Sequence, residues 1–179
     1  AAINSGWEFF SDSDFAGNDE PQNKRRSQNG WIAMLNGAPV SWTSKASSIA
    51  FAHPDMEEAH ADSSSGAVEI YAAANATREL LHLSYVSDEI GIDFPRPAFL
   101  QVDNTTAEAF MNNSCVRSKL KHIDVRQEWV QALRNNDIVR PLHVDTKRNV
   151  ADLFTKILPA PDFIRLRDMI MHKLPDSIA

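Results

Sequence analysis

Residues 30–42 read Gly-Trp-Ile-Ala-Met-Leu-Asn-Gly-Ala-Pro-Val-Ser-Trp and predict a β-hairpin. The pair Asn36-Gly37 is the strongest short signal for a tight hairpin turn, because both residue types accept the positive φ angles that such a turn requires. The strands on either side span residues 30–36 and 38–42. Upstream, residues 7–12 form an aromatic-rich strand bounded by polar turn residues. The chain is therefore expected to open with a three-stranded meander.

The rest of the chain carries alternating helix and strand patterns. Apolar residues recur at helical spacing over residues 66–90, and Gly91 is placed to end this long helix. The later candidates are a strand at 97–102, helices at 105–111 and 123–133, and a strand at 138–144. A terminal helical region opens at 150–157. Pro159 and Pro161 interrupt this region before it resumes at 163–171. The order β-β-β-α-β-α-α-β-α predicts an α/β sandwich with a mixed sheet. Five apolar side chains are expected to pack the terminal region onto the sheet: Leu153, Phe154, Ile157, Phe163 and Leu166.

The composition limits the class of protein. At 179 residues and 43% hydrophobic content, the chain suits one domain over residues 1–179, with residues 1–5 as a flexible N-terminus and residues 158–179 as a C-terminal helical extension. No stretch approaches the roughly 18 apolar residues that span a bilayer, and no signal-peptide pattern is found. The single cysteine, Cys115, excludes an intrachain disulfide and fits a reducing compartment. An intracellular, soluble protein with no membrane partner is expected.

The net charge of −6 argues against a tight, free-standing nucleic-acid binder, because such proteins usually have a basic excess. The basic residues are nevertheless clustered. Residues 24–26 are Lys-Arg-Arg, and a second group lies late in the chain: Arg117, Lys119, Lys121, Arg126 and Arg134. Weak binding to nucleic acid, helped by a neighbouring domain, fits this distribution.

Four acidic residues stand where predicted elements begin or end: Asp12, Glu69, Asp103 and Asp152. Asp12 and Asp103 end strands, Glu69 lies in the opening turns of the long helix, and Asp152 opens the last helical region. Strand ends and helix starts meet at one edge of an open α/β sheet, where such folds place their sites. A fold that gathers four distant carboxylates usually does so to hold divalent metal, and this points to phosphodiester chemistry.

Each acid also has an ordinary structural explanation. Asp12 would serve as a turn residue, and Asp14 points to the same face of the strand. Glu69 would complement the helix dipole as a first-turn acid, and Asp103 would belong to the cap of the next helix. Position alone does not single out Asp152. Taken one at a time, the residues leave these alternatives open.

Six segments, in order and at compatible spacings, resemble the ribonuclease H domain that closes the polyprotein of copia-type long-terminal-repeat retrotransposons. They are Ser-Asp-Ser-Asp-Phe-Ala-Gly at 11–17, Arg-Arg-Ser-Gln-Asn-Gly-Trp at 25–31, Pro-Val-Ser-Trp-Thr-Ser-Lys at 39–45, Val-Asp-Asn at 102–104, Lys-His-Ile-Asp-Val-Arg at 121–126 and Ala-Asp-Leu-Phe-Thr-Lys at 151–156. The resemblance covers nearly the whole chain. It implies a ribonuclease H-like α/β fold in which helices flank a five-stranded mixed sheet.

The resemblance also implies that Asp12, Glu69, Asp103 and Asp152 are the catalytic, metal-binding carboxylates. They would hold two Mg²⁺ ions, with Mn²⁺ as a substitute, roughly 3.5 to 4 Å apart, one activating water and the other stabilising the leaving oxygen. The implied reaction is endonucleolytic cleavage of the RNA strand of an RNA/DNA hybrid, leaving a 5′-phosphate and a 3′-hydroxyl. The enzyme would recognise RNA by its 2′-hydroxyl groups. It would act beside the polymerase domain of a reverse transcriptase in the same polyprotein, in cytoplasmic virus-like particles.

Eight further residues are candidate nucleic-acid contacts: Arg25, Arg26, Ser27, Asn104, Thr105, Lys121, His122 and Arg126. Residues 25–27 would grip phosphate, although a basic run in a loop is more often a solvated turn. Residues 104–105 follow the third carboxylate, where related enzymes touch the minor groove; the family commonly has glutamine in place of Thr105. Residues 121–126 would face the substrate or simply begin a helix.

Two departures from the family pattern are visible. The chain is longer between Lys45 and Glu69, where the insert contains His53, Asp55, Glu57, Glu58, His60 and Asp62. These residues would bind a transition metal or form a solvated acidic loop, and we prefer the loop because no regular spacing brings them together. Residues 144–149 contain no histidine, whereas many ribonucleases H have a mobile histidine just before the last carboxylate that assists product release. Slow turnover, or a contribution from His122, is expected.

Two other functions are considered. One is a catalytically idle ribonuclease H-like module that binds nucleic acid or supports a polymerase; the presence of all four carboxylates argues against it. The other is a different member of the wider superfamily, such as a DDE-type recombinase or an exonuclease. The segments at 121–126 and 151–156 disfavour that assignment, because they match the copia pattern.

Overall fold

The computed structural model describes residues 6–14, 27–46, 61–112 and 121–171. The strands in these ranges are β1 (Trp7–Asp14), β2 (Gln28–Leu35), β3 (Ala38–Ala46), β4 (Ala98–Val102) and β5 (Val139–His143). The helices are α1 (Ala61–Ile90), α2 (Thr105–Asn112), α3 (Lys121–Asn135) and α4 (Ala160–Ile170). Two 3₁₀ helices, Thr146–Arg148 and Val150–Phe154, lie between β5 and α4. The order of strands and α-helices is the one that the sequence predicts.

The predicted hairpin joins β2 and β3. Asn36 and Gly37 have φ angles of 53° and 79°, as a tight turn with two positive-φ residues requires. Leu35 lies opposite Ala38 directly across this turn. Strand β1 pairs antiparallel with the other edge of β2 along its whole length. The opening meander is therefore confirmed.

The five strands form one mixed sheet in the order β3-β2-β1-β4-β5, in which β1, β4 and β5 are parallel neighbours. Phe10 of β1 lies opposite Gln101 of β4. Asp12 and Asp103 each follow that pair by two positions. Because side chains alternate between the faces of a sheet with a period of two, both carboxylates reach the same edge and the same face. The sheet topology thus fixes the position of the site.

Alternate residues of the central strands pack into two separate cores. Phe9 and Leu100 belong to the first core, to which α1, α2 and α3 contribute. Phe10 and Ile32 belong to the second core, to which the Val150–Phe154 3₁₀ helix and α4 contribute. Helices therefore cover both faces of the sheet, as the sequence predicts.

The long helix begins earlier than its periodicity suggests. Helix α1 starts at Ala61, so Asp62 lies in the helix and not in an acidic loop. The rest of the insert, from His53 to His60, lies outside the described residues. Gly91, with a φ of 74°, ends the helix as expected. None of the described helices combines the length and the apolar composition that crossing a membrane requires.

The terminal helical region is divided into two helices of different types. The sequence predicts that residues 150–157 open the terminal helical region, and in the structure Val150–Phe154 is a 3₁₀ helix that is separate from α4. The two prolines do not delay α4, which begins at Ala160, between Pro159 and Pro161. Proline is accepted there because the first turn of a helix needs no N–H donor.

The packing of this region is confirmed only in part. Leu153, Phe154 and Leu166 contact the second core. Ile157 is fully exposed and Phe163 is 46% exposed, so these two side chains do not pack on the sheet as predicted. Ile157 follows the end of the 3₁₀ helix, where the chain turns away from the core before α4 begins.

Candidate active site

Asp12 and Asp103 form the base of the site at the carboxyl edge of the parallel strands. Asp12 lies near the end of β1, and Asp103 directly follows β4. Their side chains are only 1% and 9% exposed. Because β1 and β4 are parallel neighbours, residues at equal distances after a paired position stay adjacent. The structure therefore brings these two carboxylates together.

Glu69 enters the site from α1 and is 5% exposed. One carboxylate oxygen from each of Asp12, Glu69 and Asp103 lies within 4.8 Å of the other two. Since α1 begins at Ala61, Glu69 lies well beyond the first turn, to which stabilisation by the helix dipole is confined. The dipole explanation is therefore wrong for Glu69, and so is the expectation that it occupies the opening turns.

Asp152 reaches the site from the Val150–Phe154 3₁₀ helix and not from the start of an α-helix. Asn149 caps this short helix, because its Oδ1 accepts a hydrogen bond from the N–H of Ala151 at 3.2 Å. The Nδ2 of the same side chain donates to the carbonyl oxygen of Ser11 at 3.2 Å. Asn149 is completely buried. One side chain thus ties the 3₁₀ helix to the strand that carries Asp12.

Gly30 of β2 gives this 3₁₀ helix room to lie directly on the sheet. Gly30 pairs with Asp12. A Cβ atom at Gly30 would lie 2.7 Å from Cβ of Phe154 and 2.8 Å from Cγ2 of Thr155, which is closer than real Cβ contacts allow. From β3, the hydroxyl of Ser44 donates to the carbonyl oxygen of Phe154 at 2.6 Å. The close approach sets the position of the residues that follow the helix.

Lys156 is the functional candidate that the sequence interpretation missed. Its Nζ lies 2.9 Å from Oδ1 of Asp152, 3.1 Å from Oδ1 of Asp12 and 3.9 Å from Oδ2 of Asp103. The preceding residue, Thr155, donates its hydroxyl hydrogen bond to Oδ2 of Asp12. Lys156 connects Asp152 to the other carboxylates. The signal that could have revealed it is the i,i+4 spacing from Asp152 inside the Ala-Asp-Leu-Phe-Thr-Lys segment.

The gathered carboxylates are costly to ionise. Burial, followed by the negative charges of Asp12 and Asp103, raises the pKa of Glu69 well above its ordinary value. Burial, followed by the charge of Asp12, also raises the pKa of Asp103 and raises the pKa of Asp152 to about 6. Desolvation and like-charge repulsion are the physical causes in all three cases. The site therefore favours any added positive charge.

Lys156 supplies one such charge. Burial alone would lower the pKa of its ammonium group, but the carboxylates of Asp12, Asp152 and Asp103 outweigh burial and raise that pKa above its ordinary value. The ammonium therefore stays charged among the acids. It offsets only part of their negative charge.

The donor set fits hard divalent cations. Carboxylate oxygens from four side chains are the ligands that Mg²⁺ and Mn²⁺ prefer. The Oε2 atom of Glu69 is buried and has no hydrogen-bond partner within the part of the chain that the structure describes. A buried carboxylate oxygen left unpaired costs free energy, and a bound cation would remove that cost. The residues present thus suit a metal centre.

The structure gives little information on five of the eight candidate nucleic-acid contacts. Arg25 and Arg26 lie outside the described residues, and the same holds for the side chains of Lys121 and His122, whose backbones are in the first turn of α3. Ser27, which precedes β2, is only 2% exposed. Their roles in binding stay predictions.

Asn104 and Thr105 lie beside the carboxylate cluster, directly after Asp103. The Oδ1 atom of Asn104 accepts a hydrogen bond from the N–H of Ala107 at 2.9 Å. Asn104 therefore caps α2, which gives this residue the capping role considered for Asp103. Thr105 is exposed at the first position of α2.

Arg126 lies on α3 and faces α1. Its guanidinium carbon is 4.2 Å from the centroid of the Tyr71 ring, a cation–π contact. Arg126 also lines a groove between α1 and α3, together with Arg78 and Trp129. Tyr71 is two positions from Glu69 along α1, a spacing that directs the two side chains to different sides of the helix.

No protein-family model matches the chain, but several known sequences are similar to it. The chain is 27% identical over 164 residues to the retrovirus-related Pol polyprotein from transposon TNT 1-94 of Nicotiana tabacum. It is 29% identical over 169 residues to the corresponding polyproteins from transposons RE1 and RE2 of Arabidopsis thaliana. These matches cover 91% to 94% of the chain but only 11% of each relative. The chain thus corresponds to a short segment of these polyproteins.

Two solved structures share the fold. RNase H1 from the halophilic archaeon Halobacterium salinarum NRC-1 is 17% identical with a TM-score of 0.50, over 82% of this chain and 92% of that protein. LC11-RNase H1, isolated from compost by a metagenomic approach, is 11% identical with a TM-score of 0.54, over 84% of this chain and 93% of that protein. The chain therefore has a ribonuclease H fold and is similar in sequence to a segment of retrovirus-related Pol polyproteins from transposons, in agreement with the resemblance that its motifs carry.

Proposed function

We propose that this domain is a ribonuclease H that hydrolyses the RNA strand of RNA/DNA hybrids with two divalent metal ions. The observation that carries the proposal is the meeting of Asp12, Glu69 and Asp103, joined to Asp152 through Lys156, at the carboxyl edge of a ribonuclease H fold. The relation to Pol polyproteins supports the substrate, because reverse transcription produces RNA/DNA hybrids. Residues 1–179 act in this proposal as one catalytic domain.

The four carboxylates hold the metal ions, Mg²⁺ or Mn²⁺. Asp12, Glu69 and Asp103 would hold one ion, and Asp12 with Asp152 would hold the other. Ions bound there supply an activated water nucleophile and neutralise charge on the leaving oxygen, so that the products carry a 5′-phosphate and a 3′-hydroxyl. The hydroxyl of Thr155 holds Oδ2 of Asp12, while Oδ1 of Asp12 accepts a hydrogen bond from the ammonium of Lys156.

The RNA/DNA hybrid lies across the carboxyl edge of the sheet. Asn104 and Thr105, directly beside the carboxylates, contact the minor groove, where the 2′-hydroxyls distinguish RNA from DNA. The proposed phosphate contacts are Arg25, Arg26 and Ser27, which precede β2 in the sequence, and Lys121, His122 and Arg126 of α3. Since the net charge is −6, the polymerase domain of the same polyprotein supplies further affinity. The setting is intracellular, in virus-like particles.

The test is cleavage of an RNA/DNA hybrid labelled on the RNA strand, with Mg²⁺ and then with Mn²⁺. RNA/RNA and DNA/DNA duplexes of the same sequence serve as substrate controls. Asp103→Asn removes one charge from the cluster with little change in shape. Asp93→Asn is the matched control, because Asp93 is exposed and follows the C-terminal end of α1, whereas Glu69 lies in the first half of that helix. Cutting of the RNA strand in the hybrid alone, lost in Asp103→Asn and kept in Asp93→Asn, is the expected result.

A folded wild-type chain that cuts no substrate with either metal, alone or joined to its polymerase domain, would contradict the proposal. Hybrid binding without cutting would then favour the idle nucleic-acid-binding module. Equal cutting of all three duplexes would contradict the assigned substrate and leave a nuclease of broader specificity.

A further inference from the structure

The ammonium group of Lys156 lies inside the carboxylate cluster and not on the surface around it. It donates hydrogen bonds to Oδ1 of Asp152 at 2.9 Å and to Oδ1 of Asp12 at 3.1 Å. The side chains of these acids are 6% and 1% exposed, whereas the lysine side chain is 31% exposed. The lysine therefore enters from the solvent side and ends among buried acids.

The backbone at Lys156 is anchored, so this contact differs from that of a mobile surface lysine. The N–H of Lys156 donates to the carbonyl oxygen of Asp152 at 3.0 Å. The adjacent Thr155 is hydrogen-bonded to Asp12 and packs closely on Gly30. The lysine stem thus begins next to a fixed residue, at a distance that brings its ammonium between Asp12 and Asp152.

The arrangement of the acids gives this ammonium a specific place. Asp12, Glu69 and Asp103 converge without Asp152, and Asp152 meets Asp12 through Lys156. We propose that Lys156 is a built-in counter-ion, whose ammonium occupies the second cation position between Asp12 and Asp152 and has to leave before a divalent ion binds there. The inference rests on the metal site of the proposed function.

An ammonium in this position weakens binding of the second divalent ion for two reasons. The lysine must first give up its hydrogen bonds to Asp12 and Asp152. In addition, an ammonium group and a divalent ion held by the same two carboxylates repel each other strongly in a partly buried site. The apparent affinity is therefore reduced by the fraction of molecules in which the lysine has left. In return, the metal-free protein keeps a positive charge among acids that would otherwise repel one another. The exposed third of the side chain lets the ammonium swing to solvent without movement of the backbone.

The test measures metal binding and metal-free stability, independently of catalysis. Lys156→Met keeps the length of the side chain and removes the charge, and Lys156→Gln keeps a polar end. Isothermal titration with MgCl₂ and with MnCl₂, at about pH 8, gives the affinities. Thermal unfolding in EDTA gives the stability of the metal-free protein. Lys147→Gln is the matched control, because Lys147 is exposed on the Thr146–Arg148 3₁₀ helix and its loss changes the net charge equally.

The wild type is expected to bind one divalent ion more tightly than the second. Both Lys156 variants are expected to bind the second ion at least about tenfold more tightly. They are also expected to unfold at a lower temperature in EDTA and to gain more stability from Mg²⁺ than the wild type does. Lys147→Gln is expected to match the wild type in all three measurements.

Three outcomes would overturn the inference. If the Lys156 variants bind both ions as the wild type does and are equally stable in EDTA, the lysine is not a counter-ion. If they bind the second ion more weakly, the lysine supports the metal position and does not compete for it. If the wild type binds no divalent ion, the proposed metal site fails and the inference fails with it; binding by the wild type keeps these two failures distinguishable.

Discussion

The carboxylate cluster has two halves that are held by different kinds of structure. The sheet half consists of Asp12 on β1, Asp103 directly after β4, and Glu69 on the long helix packed against these paired strands. The 3₁₀ half consists of Asp152 and Lys156, which lie in and just after a helix of five residues. Backbone hydrogen bonds over many residues fix the first half, whereas the second depends on a few single contacts with the sheet.

Three residues hold the 3₁₀ half against the sheet. Asn149 caps the 3₁₀ helix and bonds to β1, Gly30 lets the helix approach β2, and Ser44 bonds to it from β3. Because backbone pairing and helix packing hold the sheet half, it should tolerate single substitutions outside the carboxylates. The 3₁₀ half should be displaced by one added methyl group.

The largest loss of cleavage is expected from a substitution that affects both halves of the cluster. Asp12 contributes to the three-carboxylate group and also contacts Lys156, so Asp12→Asn removes charge from both metal positions. We expect a loss of hybrid cleavage of at least about 10³-fold, since each ion contributes several kcal/mol to transition-state stabilisation. The measurement is the single-turnover rate of RNA-strand cleavage at saturating Mg²⁺.

Asp14→Asn is the matched control for this prediction. Asp14 ends the same strand, two positions on, and was the alternative candidate at this place. The rate of Asp14→Asn is expected to stay near that of the wild type. An equal loss in the two variants would show that the cluster has been assigned to the wrong aspartate.

The next effect tests the 3₁₀ half through its closest packing. Gly30→Ala places a Cβ atom 2.7 Å from Phe154 and 2.8 Å from Thr155, so the 3₁₀ helix has to shift. Overpacking of this kind costs about 1–3 kcal/mol of unfolding free energy. A displacement of Asp152 by about 1 Å is expected to reduce cleavage on the order of 100-fold. Urea unfolding and single-turnover kinetics measure the two effects.

Gly91→Ala separates stability from site geometry. Gly91 has a φ of 74° and an open surrounding, so alanine there costs about 1 kcal/mol through backbone strain alone. Its cleavage rate is expected to be unchanged. If Gly91→Ala and Gly30→Ala reduce the rate equally, the loss follows from stability, and the special role of the Gly30 contact is wrong.

The division into a sheet half and a 3₁₀ half also explains which parts of the fold and of the site can be predicted from the sequence. Strand periodicity and the Asn36-Gly37 turn determine the meander, and parallel pairing then brings Asp12 and Asp103 together. Glu69 follows because a long helix crosses the sheet beside them, although the helix begins earlier than its apolar pattern suggests. These elements are regular, and regular elements leave a periodic pattern.

The 3₁₀ half leaves no such pattern. Its position depends on a missing Cβ atom at Gly30 and on one buried amide at Asn149, contacts between residues more than a hundred positions apart. The sequence pattern therefore predicts a terminal helical region at Asp152 but does not show that it begins as a separate 3₁₀ helix, and it gives no role to Lys156. The exposed side chain of Ile157 has the same origin, because periodicity does not reveal where a short irregular helix leaves the core.

The metal-free protein is expected to lose stability as the pH rises from about 4 to about 6. Asp152 has its pKa raised to about 6 from an ordinary value of 3.8. The folded state therefore holds this proton more tightly than the unfolded state, and the free energy of unfolding falls as the unfolded state releases it first. The contribution of Asp152 is at most on the order of 3 kcal/mol. Glu69 and Asp103 act in the same direction, because their pKa values are raised too.

Urea unfolding in EDTA, between about pH 4 and pH 8, measures this effect. Asp152→Asn removes the contribution of the 3₁₀ half and leaves that of the sheet half. The variant should therefore gain stability relative to the wild type as the pH rises through about 6. A difference between the two proteins that is constant with pH would show that Asp152 does not carry a raised pKa.

The smallest expected effect comes from the outermost contact of the 3₁₀ half. Ser44 donates to the carbonyl oxygen of Phe154 at 2.6 Å and accepts a hydrogen bond from Gln28 at 2.8 Å. Ser44→Ala is expected to cost about 1 kcal/mol of unfolding free energy, because the serine is exposed and water replaces part of the bond. Cleavage should fall only slightly, since the Asn149 cap and the Gly30 contact remain.

Ser41→Ala is the matched control for Ser44→Ala. Ser41 lies on the same strand and donates a hydrogen bond of 2.8 Å to Glu79, so it ties β3 to α1 in place of the 3₁₀ helix. The two variants should lose similar stability, but only Ser44→Ala should weaken binding of the second divalent ion. If both variants leave metal binding unchanged, the Ser44 hydrogen bond does not affect the metal site, and Gly30 and Asn149 alone position Asp152 and Lys156. If both weaken it equally, the two halves of the cluster are not held independently, and the contrast between them is wrong.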